Sequence, residues 1–315
     1  MTTNRRLAFV TLLLVGCAQA DTDINDQSFA ATSTYTKTKN PIVLAHGMGG
    51  FSQIFGVYEY FFGIPSDLRS GGAKVYLTSV SSFGATEDRG EQLLEQIEYI
   101  AAVGGTGKVN LIGHSHGGLD SRYVMAARPD LLASVTTVGT PHKGAPLATF
   151  LRAHMHEDGS VEGISAALAN VLGFALSFLS GSSNPQDAIG GLEALTASGT
   201  AAFNAQYPAG VPTSTCGQGA SSWNGIRLYS WSGTSVLTNV LDVSDGPLAV
   251  TSLFGGDDDG LVERCSSHFG SVVRDDYWMN HADEVNQVLG LVHIFATNPK
   301  TVFRAHANRL KSAGL

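Results

Sequence analysis

Apolar residues along this chain recur with two periods, and the alternation between them predicts its architecture. Pro41–Ala45, Lys74–Val80, Lys108–Ile112, Ser134–Val138 and Ile226–Trp231 are short runs rich in β-branched residues, with the length and flanks of buried strands. Between them, Glu87–Ala102 carries Leu93, Leu94, Ile97, Ile100 and Ala101 on one face at helical spacing, and Gly118–Ala127 reads as a second helix. Strands alternating with helices predict an α/β fold: a mostly parallel sheet covered on both faces. With no internal repeat or long low-complexity run, residues 41–315 are expected to form one domain, preceded by a polar, mobile leader over residues 21–40.

The first 20 residues fall outside that pattern. Two arginines, a compact apolar stretch and the small-residue triplet Ala18-Gln19-Ala20 have the build of a secretory signal peptide, too short to span a bilayer comfortably. Leu14-Val15-Gly16-Cys17 also fits a lipoprotein cleavage box, which would anchor the chain to an outer membrane through Cys17; release as a soluble extracellular protein is the expectation. Removal of this segment leaves two cysteines, Cys216 and Cys265, and an even count in an exported chain reads as one disulfide. At 43% hydrophobic residues against 15% charged ones, the chain can bury a large core. Its net charge of −8, with no Lys/Arg cluster beyond the amino terminus, makes nucleic acid a poor partner.

The chemistry centres on Gly113-His114-Ser115-His116-Gly117, a G-x-S-x-G motif set between a predicted strand and a predicted helix. That context is a nucleophile elbow: the tight turn lifts the Ser115 hydroxyl clear of the sheet. A serine hydroxyl needs a base and a group to hold that base, and α/β-hydrolases supply them in the order Ser, acid, His. Of the 10 histidines, His114 and His116 flank the nucleophile and are expected to point elsewhere. His46 and His142 come early, and His154, His156, His268, His293 and His306 lack a distinguishing acidic setting. His281, in a polar stretch after Trp278, is the expected base. Asp259, in a turn after a strand-like approach, is the expected acid, with Asp257 and Asp258 read as solvated loop neighbours. Oxyanion donors are expected from the backbone N–H of His116 and from Met48, in the glycine-rich loop after the first strand. That loop lacks the endings of a phosphate-binding loop, and no H-E-x-x-H zinc motif is present. The segment from about 157 to 181 interrupts the α/β alternation. Ile164, Leu168, Val171, Leu172, Ala175, Leu176 and Leu179 keep helical spacing, and Ser165–Leu179 holds no charge. A core helix has this pattern too; its position favours a mobile lid over an apolar pocket.

Pro41–Phe51, Gly113–Gly118, Val138–Pro146, Asp259–Val262, Cys265–His268, Arg274–Gln287 and the tail His306–Leu310 together resemble the Pseudomonas-type secreted triacylglycerol lipases, foldase-dependent members of the α/β-hydrolase superfamily. The likeness runs from about Pro41 to Leu315. It implies Ser115, Asp259 and His281 as nucleophile, acid and base, and a Cys216–Cys265 bridge bracing the acid's loop. It also implies one structural Ca²⁺ held by the carboxylates of Asp242 and Asp283 and the carbonyls of Gln287 and Leu291. Hard oxygen ligands of this kind suit calcium, although the spacing matches no EF-hand loop. A membrane-bound foldase during export is a further implication, as is a substrate that is a triacylglycerol or other lipid ester at an oil–water interface. A carboxylesterase or polyester depolymerase on the same fold is the alternative. No organic cofactor is implied.

Overall fold

The computed structural model describes residues 33–54, 58–156, 184–239 and 241–315. The signal peptide, Cys17, most of the leader and the segment expected as a lid lie outside the described residues. The last leader residues are tied to the domain at single points, although most are exposed: buried Thr36 donates its hydroxyl to the Leu68 carbonyl at 2.6 Å, and the Lys39 N–H reaches the Leu315 carbonyl at 2.7 Å.

The main sheet is assembled from β1 (Ile42–Ala45), β4 (Val75–Leu77), β5 (Val109–His114), β6 (Leu132–Val138), β7 (Ser222–Trp223), β8 (Ile226–Gly233) and β9 (Ser271–Tyr277). Its order is β4-β1-β5-β6-β8, with β7 and β9 both pairing β8. Every pairing is parallel except that of β7. A two-stranded ribbon of β2 (Gln53–Ile54) and β3 (Tyr58–Glu59) lies apart from it.

Alternation along each strand feeds two cores. Val43 and Leu111 face a cluster with Leu93, Ile97, Val124 and Met125, contributed by helices α2 (Thr86–Val103) and α3 (His116–Ala127). Ile42, Leu44 and Ile112 face the opposite way, toward Ile64 and Leu68 of α1 (Ile64–Ser70) and Phe303 and Ala307 of the C-terminal helix (Pro299–Ser312). The expected α/β architecture is therefore present, with both faces covered. Strand β9, whose sequence SVVRDDY is too polar to read as a buried run, and the C-terminal helix complete it.

The C-terminal helix docks through a buried histidine. Arg309 donates to His306 Nδ1 at 2.9 Å, so the ring's proton is on Nε2 and is shared with the Thr136 hydroxyl of β6 at 2.9 Å. Burial, reinforced by the Arg309 charge, lowers the His306 pKa from 6.5 to about 3, and His46 is lowered likewise. A depressed folded-state pKa contributes stability at pH values above the unfolded-state value, and that stability is lost as the pH falls from 6.5 toward 3. In urea denaturation, His306→Gln is expected to lose less stability than wild type between pH 7 and pH 5, by about 2 kcal/mol at pH 5. Equal losses in the two proteins would refute this.

Candidate active site

Strand β5 ends at His114 and helix α3 begins at His116, leaving Ser115 alone to make the turn. Its backbone lies at φ 54°, ψ −127°, a strained conformation for a residue with a side chain. The turn closes because its neighbours are glycines. A Cβ on Gly117 would lie 2.5 Å from the His46 carbonyl and 2.6 Å from that of Ala45, and one on Gly113 would meet the Gly117 carbonyl. The loop after β1 thus packs directly on the elbow. A Cβ on Gly47 would sit 2.7 Å from that of Ser115. Met48 is the next residue in that loop. The N–H of His116 opens α3, where first-turn amides have no intrahelical acceptor.

Asp259 and His281 meet. The Asp259 Oδ2 is 2.8 Å from His281 Nδ1, and the His281 N–H donates to the Asp259 carbonyl at 2.8 Å. The other carboxylate oxygen of Asp259 accepts from the Leu261 and Val262 N–H groups at 2.9 and 2.8 Å. No strand leads into Asp259. A 3-10 turn (Ser252–Phe254) precedes it, and its only ladder contact nearby is the single bridge Asp258–Glu263. Asp258 is not the solvated neighbour its position suggested: burial, against the nearby acids, pushes its carboxyl up to about 6. Asp257 is exposed and pairs with Arg264 at 3.3 Å.

Sequence reasoning missed several buried groups behind this pair. His114 does not point away: its ring centroid is 4.5 Å from that of His281, Tyr60 Oη is 2.7 Å from its Nδ1, and its Nε2 is 3.3 Å from Glu284 Oε2. Burial, and then the His281 charge, keeps His114 neutral by holding its pKa well below the ordinary value. Glu284 accepts the Gly233 N–H at 2.6 Å and faces Asp259; desolvation and that neighbouring charge raise its pKa well above the usual range. Glu284 is therefore held toward its neutral form, beside an Asp259 carboxylate that receives three donors. His268 also has an acid that sequence did not reveal, Asp275 at 2.9 Å. His116 does turn aside, its Nε2 lying 2.8 Å from the Thr86 hydroxyl. Arg89, fully buried, pairs with Asp120 of α3 at 2.7 Å and donates to the His46 carbonyl at 3.0 Å, tying α2 to both the elbow helix and the loop of Met48. The spacing of Arg89 on an otherwise apolar helix face was the available signal.

A second cluster adjoins the His281 loop. Asp242, Asp245 and Asp283 are all buried. Asp245 is satisfied by Thr238, Asn239 and Asn280. Asp242 Oδ2 and Asp283 Oδ1, in contrast, have no hydrogen-bond partner among the described residues. Burial, with Asp242 and Asp245 nearby, pushes Asp283 up to about 7. Two orphaned carboxylate oxygens in a shared acidic pocket fit a hard divalent cation, and they single out Asp242 and Asp283 from the three acids. Gln287 and Leu291 flank a turn in which Val288 and Leu289 adopt left-handed backbone, at φ 53° and 60°. The Gln287 side chain is engaged elsewhere, accepting from the Tyr58 hydroxyl at 2.7 Å. Cys216 and Cys265 are joined in a disulfide, so the two-cysteine expectation holds.

A family model described as the alpha/beta hydrolase fold matches residues 40–267. The chain belongs to the α/β-hydrolase family. Triacylglycerol lipases of Vibrio cholerae (50% identical over 283 residues, covering 89% of this chain and 90% of the relative) and Burkholderia plantarii (40% over 323 residues, 90% and 89%) are similar along nearly their whole length. That of Pseudomonas fragi is 41% identical over 289 residues, covering 88% of this chain and 98% of the relative. Among solved structures, a mature Bacillus licheniformis lipase superposes with a TM-score of 0.60 at 18% identity, covering 87% of this hydrolase and 93% of that chain.

The tight seat of Gly117 yields a prediction. Gly117→Ala places its methyl against two backbone carbonyls that cannot rotate away. It should cost about 1–3 kcal/mol in stability and, by pushing the Met48 loop off Ser115, lower kcat by about 10²-fold. Urea denaturation and ester hydrolysis measured on the same preparation check both; unchanged kcat in a folded variant contradicts the packing argument.

Proposed function

We propose that this hydrolase cleaves the ester bonds of triacylglycerols, releasing fatty acids, through an acyl-enzyme formed on Ser115. The observation that carries this reading is the 2.8 Å contact between Asp259 and His281, with the His281 ring packed at a tilt against the residue that precedes Ser115, in a chain half identical to a Vibrio cholerae triacylglycerol lipase.

His281 takes the Ser115 proton through Nε2, since Nδ1 is committed to Asp259. The hydroxyl oxygen attacks the ester carbonyl, and the backbone N–H groups of Met48 and His116 hold the tetrahedral oxyanion, one such donor being worth about 3 kcal/mol. His281 then protonates the departing alcohol and deprotonates the incoming water. Asp259 orients the ring and stabilises its cation without accepting the proton. Burial of Glu284 beside Asp259 favours its neutral form, so it sets no second charge beside the ring.

Asp242 and Asp283 would hold a Ca²⁺ ion, with the carbonyls of Gln287 and Leu291 completing the ligand set. Bound calcium supplies no chemistry to the acyl transfer; it neutralises the buried acids and fixes the loop that carries His281. The amino-terminal segment supports export and release outside the cell, with foldase assistance on the way. No helix among the described residues is long and apolar enough to cross a membrane.

Ser115→Ala should retain the wild-type melting temperature while ester hydrolysis falls by about four to six orders of magnitude; near-wild-type turnover refutes the nucleophile. Emulsified long-chain triacylglycerol should be hydrolysed in preference to a short dissolved ester, and the reverse preference would favour a carboxylesterase. A chelator should lower the melting temperature of wild type, and Asp283→Asn should abolish the stabilisation that added Ca²⁺ restores. A chelator-insensitive melt removes calcium from the account.

A further inference from the structure

Asn280 immediately precedes His281 and is completely buried. Its carboxamide oxygen accepts the N–H groups of Ala282 and Asp283 at 2.9 and 2.8 Å, folding the chain around the histidine. Its own N–H reaches Asp283 Oδ2 at 3.2 Å, and its carbonyl accepts the Glu284 N–H at 3.2 Å. The remaining polar group, Nδ2, crosses to another part of the chain and donates to Asp245 Oδ1 at 2.8 Å. Asp245 is anchored in turn: Thr238 donates its N–H at 2.7 Å and its hydroxyl at 3.1 Å, and Asn239 its N–H at 2.8 Å. The turn around His281 is thus fixed at two points. Asp259 holds the histidine itself, and Asp245 holds the residue before it.

We propose that Asn280 and Asp245 form a positioning pair for the catalytic base, a hydrogen bond that sets the angle at which the His281 ring meets Ser115. The proposal rests on the assignment of His281 as the base. It is distinct from metal binding, because the oxygens of Asp245 are already taken by protein donors while the orphaned ones belong to Asp242 and Asp283. Asn280 touches no reacting atom; it acts through its neighbour. A base displaced by a fraction of an ångström slows the chemical step while leaving substrate binding nearly untouched.

The contact has a donor on one side and an acceptor on the other, so it can be inverted. Asn280→Asp keeps the oxygen that caps Ala282 and Asp283 but sets two carboxylates face to face. Asp245→Asn sets two donors face to face. In the double variant the amide of residue 245 donates to the carboxylate of residue 280, its own oxygen still accepts the Thr238 and Asn239 N–H groups, the Thr238 hydroxyl turns to accept from that amide, and the total charge is unchanged from wild type.

Wild type, both single variants and the double variant should be compared in saturating Ca²⁺. The readouts are kcat and KM on a dissolved ester, the rate of Ser115 labelling by a p-nitrophenyl phosphonate, and the melting temperature. Each single variant is expected to lose about 10²-fold in kcat and in labelling rate, with KM within about threefold of wild type. The double variant is expected to regain most of both. Singles that keep wild-type kcat, a double variant no faster than the slower single, or a double variant that does not fold would each overturn the proposal. A single variant that fails to fold while the double folds and turns over supports it. Failure of the phosphonate to label wild type at Ser115 is a separate result, and it would strike the assignment of the triad instead.

Discussion

The backbone of Ser115 is the constraint around which this molecule is arranged. A residue with a side chain held at φ 54° between a strand and a helix is not stable in isolation, and the surrounding chain overdetermines it. Gly113 and Gly117 let strand β5, helix α3 and the loop after β1 approach to backbone contact. Arg89 then fastens the arrangement from behind, with one guanidinium serving Asp120 on the elbow helix and the His46 carbonyl on the loop after β1. A single buried cation therefore holds Ser115 and the two expected amide donors in one register. Its desolvation is offset because the Asp120 carboxylate and the carbonyl acceptors of Ser81 and His46 are present in the same dry site.

Acidic groups dominate the other half of the site, and their hydrogen bonds sort them by role. Asp259 receives three donors. Glu284, beside it, is held toward its neutral form by burial and by that neighbouring carboxylate. Asp245 is saturated with protein donors, whereas Asp242 and Asp283 each keep one oxygen in want of a partner. Burial of the five carboxyl groups is met in different ways: protein donors serve Asp259 and Asp245, the neutral form serves Glu284, and Asp242 and Asp283 each leave an oxygen open.

What the sequence disclosed depended on how local each feature is. The elbow is contiguous, so Gly113–Gly117 could be read directly, and the strand-loop unit of Pro41–Gly50 likewise. Asp259 and His281 were accessible through chain order, and their contact at 2.8 Å agrees with it. His114 was misjudged because alternation along a strand says which face a side chain takes but not what another loop brings to that face. Glu284 and Tyr60 were invisible for the same reason, since each acts across a long stretch of chain, and the one trace left by Arg89 was its place on an apolar helix face. Strand β9 escaped notice because an edge position allows Arg274, Asp275 and Asp276 where a central strand would demand apolar residues. Asp258 was read as a surface acid since a run of three aspartates ordinarily faces water.

The bridge between Cys216 and Cys265 spans 49 residues of sequence and encloses β7, β8, Asp242, Asp245 and the loop of Asp259. Any protease that nicks the exposed turns inside that ring, such as the one around Leu241 or Leu253, severs a peptide bond without separating the pieces. The clipped molecule gains only the one water of hydrolysis, and its two fragments stay joined through the sulfur link. The ring thus turns a cut that would release a fragment into one that leaves the chain in one piece.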